Sequence, residues 1–252
     1  MATATEENNK DKARSAYNLL DDADSKIRGY KDSGALKAKA HEVGKRHYLI
    51  EVVNRTSGYL PVNLERNLLA IDASKLNTFW NKYYTDKNSP AVEQFDRNAR
   101  LEFVDIFVSP ESEVITRHTD SAKVQDGFEY VKDKKGKIVR DSLGKKIKKK
   151  KFKKVFADVT VIQREKAVTV NADLNVYRYG TTDIINSKPL SVEVTFTDRS
   201  STYSGDSRAV CDTDHKYLKP YPAAFPHDET MIYDATYKLK DDLKSELHRI
   251  QT

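Results

Sequence analysis

Cysteine is nearly missing from this chain: Cys211 is the single one among 252 residues. That excludes an internal disulfide and any cluster built on several thiolates. Glycine and proline are also scarce, at nine and seven, which excludes collagen-like and linker-like classes. No apolar run approaches the roughly 18–20 residues that a membrane helix needs. Met1 to Lys12 is Thr, Glu, Asn and Lys-rich, with no apolar stretch of export-signal type.

The familiar motifs of site chemistry are missing too. None of the histidines (His41, His47, His118, His215, His227, His248) sits in an HExxH pattern or at a ligand spacing from Cys211. There is no Walker loop, GxGxxG or GxSxG. Asp212-Thr-Asp214-His215 has the carboxylates of a hard-metal loop but lacks the glycine and the terminal glutamate of an EF-hand. Ser204-Gly205-Asp206-Ser207-Arg208 reads as a turn, not as a nucleophile site. The expectation is therefore a non-enzyme without catalytic, cofactor-binding or metal-ligating residues. An acid–base enzyme with a site around His118 or His215 is the alternative.

What is present is aromatic and charged. Fourteen tyrosines, nine phenylalanines and a tryptophan supply a core with wet rims, because tyrosine buries its ring and keeps its hydroxyl paired. Periodicity predicts an α+β fold. Ala13, Ala16, Tyr17, Leu20, Ala23 and Ile27 form a helical stripe, Gly29 stops it, and Leu36, Ala40 and Val43 begin a second helix. These make an αα-hairpin over residues 1–46, turning at Tyr30–Gly34, with its first ten residues frayed. Residues 47–252 form an α+β domain with a mainly antiparallel sheet. Tyr48–Val53 reads as a strand, and a central helix is expected from Pro61. Leu76, Phe79, Trp80, Tyr83 and Tyr84 stand at helical spacing, as packing rather than a ligand box. Leu101–Val108 is a strand with a break. Val168, Val170, Ala172, Leu174 and Val176 alternate with polar residues, and so do Leu190–Phe196, after a loop of about ten residues. A long C-terminal helix, capped by Asp228, carries Ile232, Ala235, Leu239, Leu243, Leu247 and Ile250 on one stripe.

The positive charge is local. Lys132 to Lys154 holds twelve lysines, Arg140 and two aspartates, a net +11 in a chain of net +6, so everything else sums to −5. Within the tract, Asp133-Lys-Lys-Gly136 is echoed by Asp141-Ser-Leu-Gly144. Each is a turn signature, since Asp accepts from the following amides and Gly takes the left-handed position. A projecting basic β-excursion at about 130–154 follows. Its candidate contacts with an anionic partner are Lys145, Lys146, Lys148, Lys149, Lys150, Lys151, Lys153 and Lys154. Anionic lipid, glycan or an acidic envelope protein would suit them. Phe152 is the sole aromatic in the tract that suits base stacking, which disfavours nucleic acid. The plainer alternative is a solvated hairpin whose lysines discourage edge pairing.

Several short stretches together resemble a family of uncharacterised lipoproteins from flavobacteria and related Bacteroidetes. They are Tyr30-Lys-Asp32 in the helical hairpin, Asp141-Ser-Leu-Gly144-Lys-Lys-Ile147-Lys, Arg164-Glu-Lys166-Ala, Tyr203-Ser-Gly205-Asp206-Ser-Arg208-Ala209, and Phe225-Pro-His-Asp-Glu-Thr-Met231-Ile-Tyr-Asp234-Ala. The resemblance implies a periplasmic or outer-membrane setting, with an export signal and a lipidated cysteine ahead of the matching segment. The sequence shows neither, as expected for a chain that starts after its lipid site. It implies no activity. The order of elements is also similar, at fold level only, to the amino-terminal domain of TolB and to curli-secretion lipoproteins.

Overall fold

The structure, a computed structural model, describes residues 2–29, 32–56, 63–90 and 94–250, with side chains from residue 9. In chain order it contains α1 (Ala2–Lys26), α2 (Ser33–Gly44), β1 (Arg46–Asn54), α3 (Leu64–Leu69), β2 (Asn81–Tyr84), β3 (Arg97–Val108), β4 (Ser112–Tyr130), β5 (Lys148–Arg178), β6 (Ile184–Gly205), α4 (Asp212–His215) and α5 (Asp228–Arg249). The chain is α+β with a mixed, mainly antiparallel sheet. The helix start expected at Pro61 and part of the Tyr30–Gly34 turn lie outside the described residues. The chain divides into two compact units, and β5 and β6 each contribute to both.

The first unit runs to Val108 and adds Val168–Val194 and the chain from His227. β1 lies between β2 and β3 and is parallel to both, with Tyr48 opposite Tyr83 on one side and Arg97 on the other. Parallel neighbours need a crossover, which the segment with α3 supplies between β1 and β2. β3 then pairs antiparallel with β5, from Arg97↔Arg178 to Val108↔Val168. The break expected in Leu101–Val108 is a register shift between Phe103 and Asp105, which leaves Val104 half exposed. The expected ten-residue loop is shorter, five residues from Tyr179 to Asp183, because β6 starts earlier, at Ile184.

The aromatic segment departs from its helical spacing. Ala73–Leu76 is a short 3-10 turn, and Asn81–Tyr84 is β2. Its period is two, not 3.6: Asn81 and Tyr83 are buried, while Lys82 and Tyr84 are half exposed. Packing remains the segment's role. The Tyr83 hydroxyl donates to the Leu247 carbonyl at 2.9 Å, and burial raises its pKa, so it stays a donor at any ordinary pH.

Helix α5 supplies the apolar face that its sequence stripe predicts, except at Ile250, which follows the helix as its C-cap and is only partly buried. Ile232, Ala235, Leu239, Leu243 and Leu247 are buried, joined by Met231 and Thr236. Its N-cap is His227 rather than Asp228. Asp228 sits in the first turn, where a carboxylate complements the positive end of the helix dipole. The β5 residues Val168, Val170, Ala172, Leu174 and Val176 are all at most 1% exposed and complete the core of this unit.

The hairpin of α1 and α2 belongs to this unit and is held by ring contacts of Tyr17 and His41 with Phe79 and Trp80 and by polar contacts. Lys10 donates to the Lys45 carbonyl at 2.7 Å and to Asp96 at 2.8 Å. Arg14 donates to the Gly44 carbonyl at 2.8 Å and lies 5.2 Å from the Trp80 ring centre. Gly44 is required here by close approach: a Cβ would fall 2.7 Å from Trp80 Cζ3. Gly44→Ala is expected to cost about 1–3 kcal/mol through overpacking. Thermal unfolding checks this, and an unchanged melting temperature would mean that the indole moves aside freely.

The second unit comprises Ser109–Ala167 and Thr195–Pro226. Here β4 pairs antiparallel with the first part of β5, from Ser112↔Glu165 to Tyr130↔Lys148. One face of β5, Val155, Ala157, Val159 and Val161, is buried under Ala209 and Val210, with Ala122 and Val124 partly buried against them. Asp206 caps the short 3-10 turn Ser207–Ala209 by accepting from the Arg208 amide. Its carboxylate also takes two bonds from the Arg208 guanidinium, which bring its pKa down to about 2.

Candidate functional site

The lysine tract is an ordered arm. β4 and β5 extend as a two-stranded ribbon, and its tip is a small three-sided ring. The Val139 amide donates to the Val131 carbonyl at 2.8 Å, Ile147 to Val139 at 3.0 Å, and Val131 back to Ile147 at 3.0 Å. The two Asp-x-x-Gly turns close two of the sides as their sequence predicts. Asp133 accepts from the amides of Lys135 and Lys137, and Asp141 from those of Leu143 and Lys145, each at 2.9 Å. Gly136 and Gly144 both have φ of 78°, the left-handed conformation that a side chain would strain.

All eight predicted contact lysines are exposed; Lys145 and Lys146 lie in the ring at the tip, and the structure sorts the six on β5 onto two faces. Directly opposed residues in an antiparallel pair share a face, and alternate residues switch faces. Lys149, Lys151 and Lys153 stand on the face that continues into buried Val155. Acid neutralises two of them: Lys149 lies 3.0 Å from Glu129, and Lys153 3.4 Å from Asp126. The opposite face carries Lys148, Lys150 and Lys154, opposed by Tyr130, Phe128 and Lys123. Among the described residues, none of these lysines has an ion pair with an acid. Two of them lie against rings instead: Lys148 is 5.6 Å from the Tyr130 ring centre, and Lys154 5.1 Å from that of Phe156.

That second face also shows what the linear sequence conceals. Phe152 is not an isolated aromatic. Strand register places Phe128, Tyr130 and Phe156 on the same face, and all four are between 41% and 61% exposed. Three of the four lie outside the stretch of dense lysine. The period-two alternation Lys148, Lys150, Phe152, Lys154, Phe156 could have found Phe156, whereas Phe128 and Tyr130 join the face only through strand register.

A second constellation lies on the buried face of the same unit. His118 and Asp120 stand opposite Val159 and Ala157, and α4 brings Asp214 against them. His118 Nε2 is 3.0 Å from Asp214 Oδ2 and 3.6 Å from Asp120. Arg199 donates to Asp214 Oδ1 at 2.7 Å, the Cys211 thiol to Oδ2 at 3.3 Å, and the Cys211 amide to Asp120 at 2.8 Å. Burial raises the Asp214 carboxyl pKa, but the bonds from Arg199 and Cys211 and the nearby positive charge outweigh it, so it stays ionised below the usual range.

The acid–base alternative foresaw His118 here, but His215 is not part of the group. Three ligand-type atoms, from His118, Asp120 and Asp214, lie within 4.8 Å of one another, so the group has the donors for a cation. The Arg199 cation at 2.7 Å already supplies the positive charge that a metal would bring. The geometry is not that of an activated thiol either. The Cys211 thiol donates to a carboxylate rather than to an imidazole, which disfavours the thiolate, and its pKa is raised. The adjoining open cleft, about 340 Å³ between Arg164, Asp198, Arg199 and Tyr217, is not lined by His118.

Comparison with known proteins adds little. No family model and no curated protein matches the chain. Among solved structures, a Helicobacter pylori protein described as a neuraminyllactose-binding hemagglutinin homolog aligns at 13% identity and a TM-score of 0.33. The alignment covers 82% of this chain and 91% of that one. A likeness this loose says nothing about function.

Proposed function

We propose that this chain is a non-enzymatic binding or scaffolding component of the bacterial cell envelope, and that its contact with an anionic partner is the Lys132–Lys154 arm. One observation carries the reading: the positive charge sits on a hydrogen-bonded, projecting ribbon with its lysines in solvent, while the rest of the chain is net acidic. A solvated hairpin needs lysines only to block its edges. A lysine face stripped of carboxylates and interleaved with exposed rings exceeds that need. The envelope setting rests on the flavobacterial lipoprotein resemblance. The native reading frame upstream of Met1 tests it: an export signal ending in a lipidated cysteine is expected, and a cytosolic start would overturn it.

The arm is tested by replacing Lys145, Lys146, Lys148, Lys149, Lys150 and Lys151 with glutamine. All six side chains are exposed, so the fold should be retained. Wild type should be held on a heparin matrix at about 0.15 M salt, where screening already acts over roughly 8 Å. The variant should pass through. Equal retention of the two proteins would sink the arm as a contact surface.

A further inference from the structure

The arm's two faces differ in a way that a simple polyanion contact does not require. One face balances lysine with acid through Lys149–Glu129 and Lys153–Asp126. The other alternates uncompensated lysine with half-exposed rings over the stretch from Lys148 to Phe156, about 26 Å of strand. The tip adds apolar surface: Leu143, inside the Asp141–Gly144 turn, is 81% exposed, and Ile138 and Ile147 are each 39% exposed.

Resting on the anionic-partner reading above, we propose that this face docks on an anionic lipid bilayer. In this mode Phe128, Tyr130, Phe152 and Phe156 sit at the headgroup–acyl boundary, and Lys148, Lys150 and Lys154 lie at the phosphates. The chemistry fits at each position. Aromatic rings partition to the boundary between acyl chains and headgroups. Lysine stems let the ammonium reach phosphate while the rings lie deeper, and the negative leaflet attracts each cation near its surface. A polyanion in water would be drawn to the uncompensated lysines but gains nothing from half-exposed rings between them. A bilayer meets one face of the ribbon at a time, and the carboxylate-free face is the one bearing the rings.

The test uses the full chain and vesicles of 70% phosphatidylcholine and 30% phosphatidylglycerol, with pure phosphatidylcholine beside them. Wild type should co-sediment with the anionic vesicles and far less with the neutral ones. The triple variant Phe128→Ser, Phe152→Ser, Phe156→Ser should bind the anionic vesicles about 100-fold more weakly, from the lost interfacial burial of three half-exposed rings. Its heparin retention should be unchanged. The triple variant to leucine should keep vesicle binding within about threefold, since leucine also partitions into the boundary. This comparison also guards against a serine variant that folds poorly. Vesicle binding by the serine variant equal to wild type would overturn the bilayer proposal and leave the anionic-partner reading intact. Heparin retention of the lysine variant equal to wild type would be the opposite failure, overturning the anionic-partner reading itself. Binding of a single-stranded oligonucleotide that both the serine and leucine variants lose, with no vesicle binding by wild type, would overturn it in favour of base stacking.

Discussion

Asp214→Ala should destabilise the second unit by about 3 kcal/mol, the low end of what removing one partner of a buried charged pair costs. The Asp214 side chain is 4% exposed and holds three donors: Arg199, His118 and Cys211. Without it, the Arg199 guanidinium loses its 2.7 Å partner, and α4 loses its anchor to β4. Arg199 is 31% exposed, so water can recover part of the loss, which sets the low end. Urea unfolding measures the total, and faster amide exchange at Val155–Val161 locates it. A loss below about 1 kcal/mol would show that the cluster is not structural.

The same carboxylate sets an acid limit. Its folded pKa lies below the ordinary 3.8, so its contribution is fully present above 3.8. It is lost as pH falls through the lower folded value. Wild type and variant should therefore differ most near neutrality and converge in strong acid. Asp214→Asn, which keeps the shape and loses the charge, should fall between them.

Leu239→Ala should cost about 2–5 kcal/mol in the first unit. Leu239 is 0% exposed, as are Ala235, Leu243 and Leu247 on the same stripe of α5, and Leu101 and Phe103 of β3 are equally buried. The spread depends on how far the neighbours collapse into the space left. Calorimetry on the full chain reads the loss. An exposed control on the same helix, Tyr237→Ala at 71% exposure, should move the transition far less. A Leu239→Ala effect no larger than the control's would mean that α5 is not the lid of this core.

How much of this was legible varies with the physics involved. The α5 stripe and the alternation of Val168–Val176 could be read directly, because a helix or strand with one dry face writes its period into the sequence. The Asp133 and Asp141 turns could also be read, since they are made by the side chains named in them. β4 could not. Its faces are polar on both sides, its core contribution is limited to Ala122 and Val124, and His118 and Asp120 occupy inward positions where an apolar residue would signal a strand. The aromatic run Leu76–Tyr84 misled for the opposite reason. Its spacing suits a helix, and only the ladder from Arg46↔Asn81 to Leu49↔Tyr84 makes it a strand. The face that unites Phe128 with Phe152 and the group of His118 with Asp214 were hidden alike. Each depends on register or on α4 docking, and neither is encoded within a local window.

The three-sided ring at the end of the arm also constrains how the length of this chain can change. Val131, Val139 and Ile147 recur every eight residues, and each passes its amide to the preceding carbonyl until the circle closes. An insertion of one residue in any side would break the circle, and a one-residue slip of the ribbon's opposing strands would exchange the ring-bearing face for the acid-balanced one. Removal of a whole eight-residue side would instead leave a shorter cap on an unshifted ribbon. Length variation here is therefore quantised, and its unit is eight.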